Sequence, residues 1–213
     1  MVKQARAEAT REAIIQGAAE MFDRYGYDAT SLSNVMAKAG VTKGALYFHF
    51  SSKEDLANAV IERQHARSVG PAWDRVEGDG GGLEAVIRLS YHLAAQLRAD
   101  PVVRAGIRLT LETGTFNCTR PDPYQDWIDA VAILLRRAAE TGDLRLPIEP
   151  EAVARFFVGA FTGVQVLSEV LTGRADVHER VREMWELQLP ALVPAQRLPH
   201  YLGIARAGGI VPA

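Results

Sequence analysis

The stretch from Thr42 to Phe50 carries side chains that could contact nucleic acid. Lysine can reach a phosphate or the edge of a guanine, and tyrosine and histidine can donate hydrogen bonds to phosphate oxygens. Glycine and alanine add little binding energy themselves, but they allow the backbone to approach a surface closely. The residues of this stretch that we expect to face DNA are Thr42, Lys43, Gly44, Ala45, Tyr47 and His49.

Two short helices joined by a tight turn would hold these side chains on one surface. Ser31 is a good N-cap for the first helix, and Gly40 supplies the left-handed residue that ends it. The apolar residues between them recur with the spacing of a helix that has one buried face: Leu32, Val35, Met36 and Ala39. Thr42 can cap the second helix, whose Leu46 and Phe50 are spaced to pack against the first. We count Ser31 among the expected DNA contacts as well.

A third helix begins directly after this pair. Ser51-x-x-Glu54 and Ser52-x-x-Asp55 both match the capping box that opens many helices, and Lys53 falls in the first turn. A cation at a helix N-terminus opposes the helix dipole. A DNA phosphate close by would explain it, so we add Lys53 to the expected DNA contacts.

The string from Ala39 to Leu56, AGVTKGALYFHFSSKEDL, resembles the helix-turn-helix signature of the TetR family of transcriptional repressors. Its GVTKGALYFHF portion resembles the gamma-butyrolactone receptor branch of that family. Met36 departs from the small alanine of many members, which indicates local repacking. The resemblance implies an all-α fold, with a three-helix DNA-binding head in residues 1–53 and a larger ligand-binding and dimerisation domain in residues 54–213.

The composition argues against several other classes. The chain has 213 residues and no run of about 18 apolar ones, so we expect no membrane span. Its charged N-terminus lacks the apolar segment of a secretory signal. Cys118 is the single cysteine, which excludes an internal disulfide and a cysteine-based zinc site. We expect a cytoplasmic protein without cofactor or metal, in which His65 and His92 are surface or packing residues.

The net charge of −2 is unusual for a DNA-binding protein, but its distribution is uneven. Residues 1–53 hold seven Lys and Arg against five Asp and Glu, a net charge of +2, which leaves −4 for the remainder. All four lysines lie in those first residues. Basic charge is therefore concentrated where DNA would bind.

Catalytic patterns are not found in the sequence. There is no nucleophile elbow and no His/Glu spacing typical of a metal site. The glycines at 80–82 follow no predicted strand and precede no lysine, unlike a phosphate-binding loop. The carboxylate pairs fall on helix surfaces and in caps, so we do not expect an enzyme.

The rest of the chain is predicted to be helical throughout, with breaks at glycine and proline and without alternation of period two. The first helix is expected from about Thr10 to Tyr25, with Gly26 ending it. Later helices are expected over residues 53–69, 83–99, 102–113, 124–140, 151–171 and 176–192, with loops at 78–82 and 115–123 and a tail from Pro194.

The helix of residues 151–171 is apolar nearly all round, with Gly159 and Gly163 four residues apart. Such a helix is buried. It either completes the core of one chain or meets its twin in a dimer, and the resemblance implies a four-helix homodimer interface made by the last two long helices. A dimer places two recognition helices in successive major grooves about 34 Å apart, which fits a palindromic operator.

The resemblance also implies a pocket for a small lactone in the larger domain. Trp127 resembles the tryptophan that floors this pocket, although it could be an ordinary core residue. Gln64 could hold a lactone carbonyl or be solvated, and Thr162 could face the ligand or bond to its own helix. Further candidate walls, which could equally be core residues, are Leu109, Val158 and Phe161.

These expectations describe a repressor that a gamma-butyrolactone or butenolide releases from double-stranded operator DNA, acting on secondary-metabolite genes. The helix from Lys53 to Val69 is expected to act as the lever. One alternative is a TetR-like repressor of an efflux pump that senses drugs, although the pocket-side helices offer few acidic residues for cationic drugs. Another is a receptor-like protein that has lost its own ligand and responds to antibiotics.

Overall fold

The structure, a computed structural model, describes residues 2–70, 81–112, 123–145 and 147–209. Its described elements are all helices, so the predicted all-α fold is confirmed. The predicted loops at 78–82 and 115–123 lie largely outside these residues. The helices are α1 Val2–Ala29, α2 Leu32–Ala39, α3 Lys43–His49, α4 Lys53–Ser68, α5 Gly82–Ala99, α6 Pro101–Leu111, α7 Pro123–Glu140, α8 Pro150–Thr172, α9 Val177–Leu192 and α10 Leu198–Arg206.

The chain folds into two compact units, and each unit is built from two separate segments of the chain. The first unit joins residues 1–68 to residues 100–123, and the second joins residues 69–99 to residues 124–213. The first unit therefore contains α1–α4 together with α6. The domain boundary predicted between residues 53 and 54 stays a prediction, since packing and function need not divide a chain at the same point.

The first unit is built around α1, which packs against α2, α3, α4 and α6. Its apolar core includes Phe22, Leu46 and Leu109, all fully buried. The helices α4 and α6 cross so closely that a Cβ atom added to Gly106 would lie 2.3 Å from Cβ of Gln64. Only glycine fits at that crossing.

The sequence pattern predicted that the first helix begins near Thr10, but α1 begins at Val2. The added residues include Ala, Glu, Gln and Arg, which form helices readily even without a buried face. The predicted break at Gly26 is present, because this residue has φ 78° and ψ 178° and interrupts the helix. Glycine is the residue that adopts this conformation without strain.

A polar clamp joins the end of α1 to α6 within the first unit. Arg104 Nε donates to Asp23 Oδ2 at 2.8 Å, and Arg108 Nη1 donates to the backbone oxygen of Asp23 at 2.8 Å. Arg108 Nε also donates to Glu112 Oε1 at 2.8 Å, while Glu112 Oε2 accepts from the backbone nitrogen of Tyr27 at 3.0 Å. The backbone groups freed by the break in α1 are thus bound by side chains of α6 and the residue that follows it.

The second unit has an aromatic cluster on α8 and α9, to which Ser90 of α5 is hydrogen-bonded. The Trp185 ring stacks on that of Phe157 with 5.0 Å between centroids, and its Nε1 donates to Ser90 Oγ at 2.9 Å. Phe161 lies one turn beyond Phe157 on α8, with 6.4 Å between the centroids of the two rings. Because Trp185 is fully buried, the hydrogen bond to Ser90 satisfies its single donor.

The tail predicted from Pro194 onward is wrong, because residues 198–206 form helix α10. Pro199 stands in its first turn, where a proline is tolerated. Tyr201, Ile204 and Ala205 are buried on one side, and the Tyr91 hydroxyl donates to the backbone oxygen of Ala205 at 2.6 Å. Two prolines and a glycine near the C-terminus hid this short amphipathic helix in the sequence.

Helix α8 is long and apolar enough to span a membrane by length and composition, although only 28% of its most apolar window is buried in the chain. Its buried stripe faces the second unit and includes Ala154, Phe157 and Phe161. The other side, with the neighbouring part of α9, exposes large apolar residues: Phe156, Leu167, Val170, Leu171 and Leu187. So many large apolar side chains exposed on two adjoining helices, named here the exposed apolar patch, indicate a surface that binds something else.

Candidate functional site

The turn between α2 and α3 has the predicted caps. Ser31 Oγ accepts from the backbone nitrogen of Asn34 at 3.2 Å, and Gly40 ends α2 in the left-handed conformation with φ 65°. Thr42 Oγ1 accepts from the backbone nitrogen of Ala45 at 3.2 Å. Ser31 and Thr42 are both exposed, so each can fix a helix start and still lie at the surface.

Helix α3 is anchored by one side and exposed on the other. Leu46 and Phe50 are buried in the core of the first unit. Lys43, Gly44 and Tyr47 are exposed, while Ala45 and His49 are half-buried. The Lys43 ammonium lies 5.9 Å from the centroid of the Tyr47 ring, which places a cation beside a phenol on the outer side of the helix. The first unit therefore presents a short helix whose outer surface has the chemistry of a DNA contact.

The Lys53 ammonium is hydrogen-bonded within the protein. Its Nζ donates to the backbone oxygens of Tyr27 at 2.9 Å and Thr30 at 3.2 Å, and lies 4.2 Å from the centroid of the Tyr27 ring. These carbonyls explain a cation at the start of α4 without a phosphate. A DNA contact by Lys53 stays a prediction, but the dipole argument no longer supports it.

Gln64 and Leu109 lie in the first unit, on α4 and α6. Leu109 is fully buried in the apolar core of the first unit, and a further contact with a ligand stays a prediction. Gln64 is a buried polar residue, with 4% of its surface exposed. Its side chain packs at the crossing of α4 and α6, where Gly106 leaves room for it, and a contact with a ligand stays a prediction.

The other predicted ligand contacts lie in the second unit, on α7 and α8. Trp127 is half-buried, as are Val158 and Thr162, and Phe161 is buried. Thr162 Oγ1 donates to the backbone oxygen of Val158 at 2.8 Å, so it bonds to its own helix. The Tyr124 hydroxyl is also hydrogen-bonded to Thr162, and burial raises the pKa of this phenol.

Three residues with functional chemistry were not among the predicted contacts. Tyr124 stands one turn before Trp127 on α7 and joins that helix to Thr162. Gln165, one turn after Phe161, is a buried polar residue within the apolar stripe of α8. Phe48 is strongly exposed on α3. The polar interruption of an apolar helix could have revealed Gln165, and the position of Phe48 opposite Leu46 could have revealed its exposure.

The capped α2–α3 pair on an all-helical scaffold defines a helix-turn-helix DNA-binding regulator. Residues 14–60 match the family model for bacterial regulatory proteins of the tetR family, and residues 81–194 match that for a tetracyclin repressor-like C-terminal domain. The chain belongs to the TetR family, and the family predicted from the helix-turn-helix signature is confirmed.

Relatives with known names span nearly the whole chain. The A-factor receptor protein of Streptomyces griseus is 40% identical over 200 residues, which are 94% of this chain and 70% of that protein. The solved structure of a gamma-butyrolactone receptor, an ArpA-like protein, has a TM-score of 0.82 at 37% identity and covers 96% of this chain and 98% of its own. The structure of CprB from Streptomyces coelicolor in complex with its operator has a TM-score of 0.80 at 38% identity, with 95% and 97% covered.

Proposed function

We propose that this chain is a transcriptional repressor that binds a palindromic operator as a homodimer and is released by a small gamma-butyrolactone or butenolide. The observation that carries the proposal is the similarity to two named receptors, at 37–40% identity over more than nine tenths of the chain. The outer surface of α3 supports the DNA part. Like the transcriptional regulators it resembles, the protein acts by binding and has no catalytic activity.

A second copy of the chain covers the exposed apolar patch of α8 and α9. Leu187 is 81% exposed in the single chain, and Val170 and Phe156 are largely exposed. Burial of such side chains contributes about 25 cal/mol for each Å² of apolar surface, which favours association over solvent exposure. The patch serves a homodimer, and the chain works in the cytoplasm on double-stranded DNA, without a metal or cofactor.

The ligand contacts that we propose in the second unit are Trp127, Val158, Phe161 and Thr162, joined by Tyr124 and Gln165. An indole, a phenyl ring and a few hydrogen-bonding groups suit a neutral lactone with an alkyl tail. In the first unit we propose Gln64, with Leu109 as a wall. Because α4 and α6 cross without clearance at Gln64, a shift of that side chain would move the helices that carry the head.

Release requires only a difference in ligand affinity between two states of the dimer. A coupling of about 1–3 kcal/mol gives roughly 5–150-fold weaker DNA binding for each ligand bound. Control of secondary-metabolite genes, such as those of antibiotic biosynthesis, follows from the resemblance and stays part of the proposal. A drug-sensing repressor of an efflux pump is less favoured, because two relatives that match more than nine tenths of the chain at 37–40% identity are named as receptors.

A gel shift tests the proposal. DNA upstream of this protein's own gene is titrated with the protein and then with a panel of alkyl gamma-butyrolactones and butenolides. We expect one compound to abolish binding at nanomolar to micromolar concentration. Binding that no lactone disturbs would remove the receptor function and leave the DNA-binding one.

Two variants separate the functions. Tyr47→Ala should weaken DNA binding and keep ligand affinity, whereas Trp127→Ala should keep DNA binding and abolish release. Tyr25→Ala is the matched control for Tyr47, because both tyrosines are nearly half exposed and Tyr25 lies outside the helix-turn-helix. A Trp127→Ala protein that is released normally would make Trp127 a core residue.

A further inference from the structure

Phe48 is the most exposed aromatic side chain of the described residues, with 78% of its surface accessible. It lies in the last turn of α3, and its ring meets that of His49 edge-on with 5.0 Å between centroids. Burying a side chain of this size is normally favourable. An exposed phenyl ring on a helix of seven residues therefore calls for a contact outside the chain.

The position of Phe48 on α3 points it away from the protein. Successive residues of an α-helix are about 100° apart, so Phe48 lies about 200° and Gly44 about 160° from Leu46, which is fully buried. A Cβ atom added to Gly44 would meet no atom within 4 Å. None of the described residues requires glycine there. Because glycine has no side chain, the backbone of α3 is open beside the phenyl ring.

This surface is continuous with the DNA contact assigned to Lys43 and Tyr47, and its chemistry restricts what Phe48 can contact. A phenyl ring has no hydrogen-bonding group, so it cannot bind a phosphate oxygen or a polar atom on a base edge. The apolar group that the major groove presents is the C5-methyl of thymine. We propose that Phe48 packs on a thymine methyl in each operator half-site and contributes to the choice of sequence. The inference rests on the proposed binding of operator DNA.

The test compares thymine with uracil, which lacks only this methyl group. The probe is the palindromic duplex that the full-length wild-type protein selects from a randomised pool. In a series of variants of this duplex, one symmetry-related pair of thymines at a time is replaced by uracil. Removing one buried methyl should weaken wild-type binding about 4-fold in each half-site, so roughly 15-fold in the symmetric duplex. Phe48→Ala should bind the thymine duplex at least tenfold more weakly and should lose the uracil effect at that one position.

The controls separate this inference from the proposed function. Tyr25→Ala should keep both the affinity and the uracil effect of the wild type. A Phe48→Ala protein with wild-type affinity would overturn the inference, as would one that is weakened while every uracil effect persists, because Phe48 would then touch only sugar or backbone. A wild-type protein that selects no duplex would refute the proposed function itself.

Discussion

The glycine at position 26 offers a stability test whose magnitude can be worked from the structure. Alanine at this position would keep a conformation that only glycine adopts freely, at a cost of about 1–3 kcal/mol. Its Cβ would lie 2.6 Å from Arg108 Nη2, so Arg108 would have to give up its bond to Asp23, at about 1–1.5 kcal/mol. The lower entropy of the unfolded chain returns about 0.4–1 kcal/mol.

Gly26→Ala should therefore lower the free energy of unfolding by about 1–4 kcal/mol, measured as the shift of the urea midpoint. Gly40→Ala is the first control, because Gly40 has φ 65° and no neighbour within 4 Å, so it bears only a backbone cost of about 1–2 kcal/mol, less the same entropy return. Gly44→Ala, open and without positive φ, should be neutral or slightly stabilising. A Gly26→Ala protein no less stable than Gly40→Ala would refute the role of the clamp.

Three further predictions concern single side chains. Lys53→Met should lower the free energy of unfolding, measured in urea, by about 1–2 kcal/mol, because charged hydrogen bonds to two carbonyls are lost. An unchanged free energy of unfolding would mean that these contacts contribute nothing to stability. Gln64→Met should leave stability within about 1 kcal/mol and raise the lactone concentration needed for release at least tenfold. Normal release would mean that Gln64 does not contact the ligand. Burial, followed by the charge of Arg98, lowers the pKa of His178, so the folded state disfavours its protonation and stability should fall as the pH drops below about 6.5. His178→Gln should lose less stability than the wild type between pH 7.5 and 5.5 in urea titrations, and an equal loss would contradict this assignment.

The helix-turn-helix could be predicted from sequence because its geometry is encoded locally. Ser31, Gly40 and Thr42 cap or end helices through bonds to residues three or four positions away, and short-range bonds leave a pattern in consecutive residues. The family signature confirmed the same segment. The helix bounds in the middle of the chain agree within a few residues for the same reason.

Features that depend on distant residues could not be predicted in this way. Lys53 contacts carbonyls more than twenty residues earlier in the chain, and no local pattern distinguishes this from a lysine awaiting DNA. The hydrogen bond between Tyr124 and Thr162 joins two helices that are adjacent only in the fold. Helix α10 was missed because its stability comes from Tyr201 and Ile204 packing on the second unit, while its own sequence reads as a loop.

The membership of α6 in the first unit has a consequence for how the protein is made. Val102, Ala105 and Leu109 belong to the same apolar core as the helix-turn-helix, although α5 precedes them in the chain and belongs to the other unit. During synthesis, the DNA-binding head cannot complete its core until about residue 111 has left the ribosome, by which time α5 has already emerged without most of its partners. The two units must therefore mature in an interleaved order, and a fragment cut after α4 would expose the apolar surface that α6 normally covers.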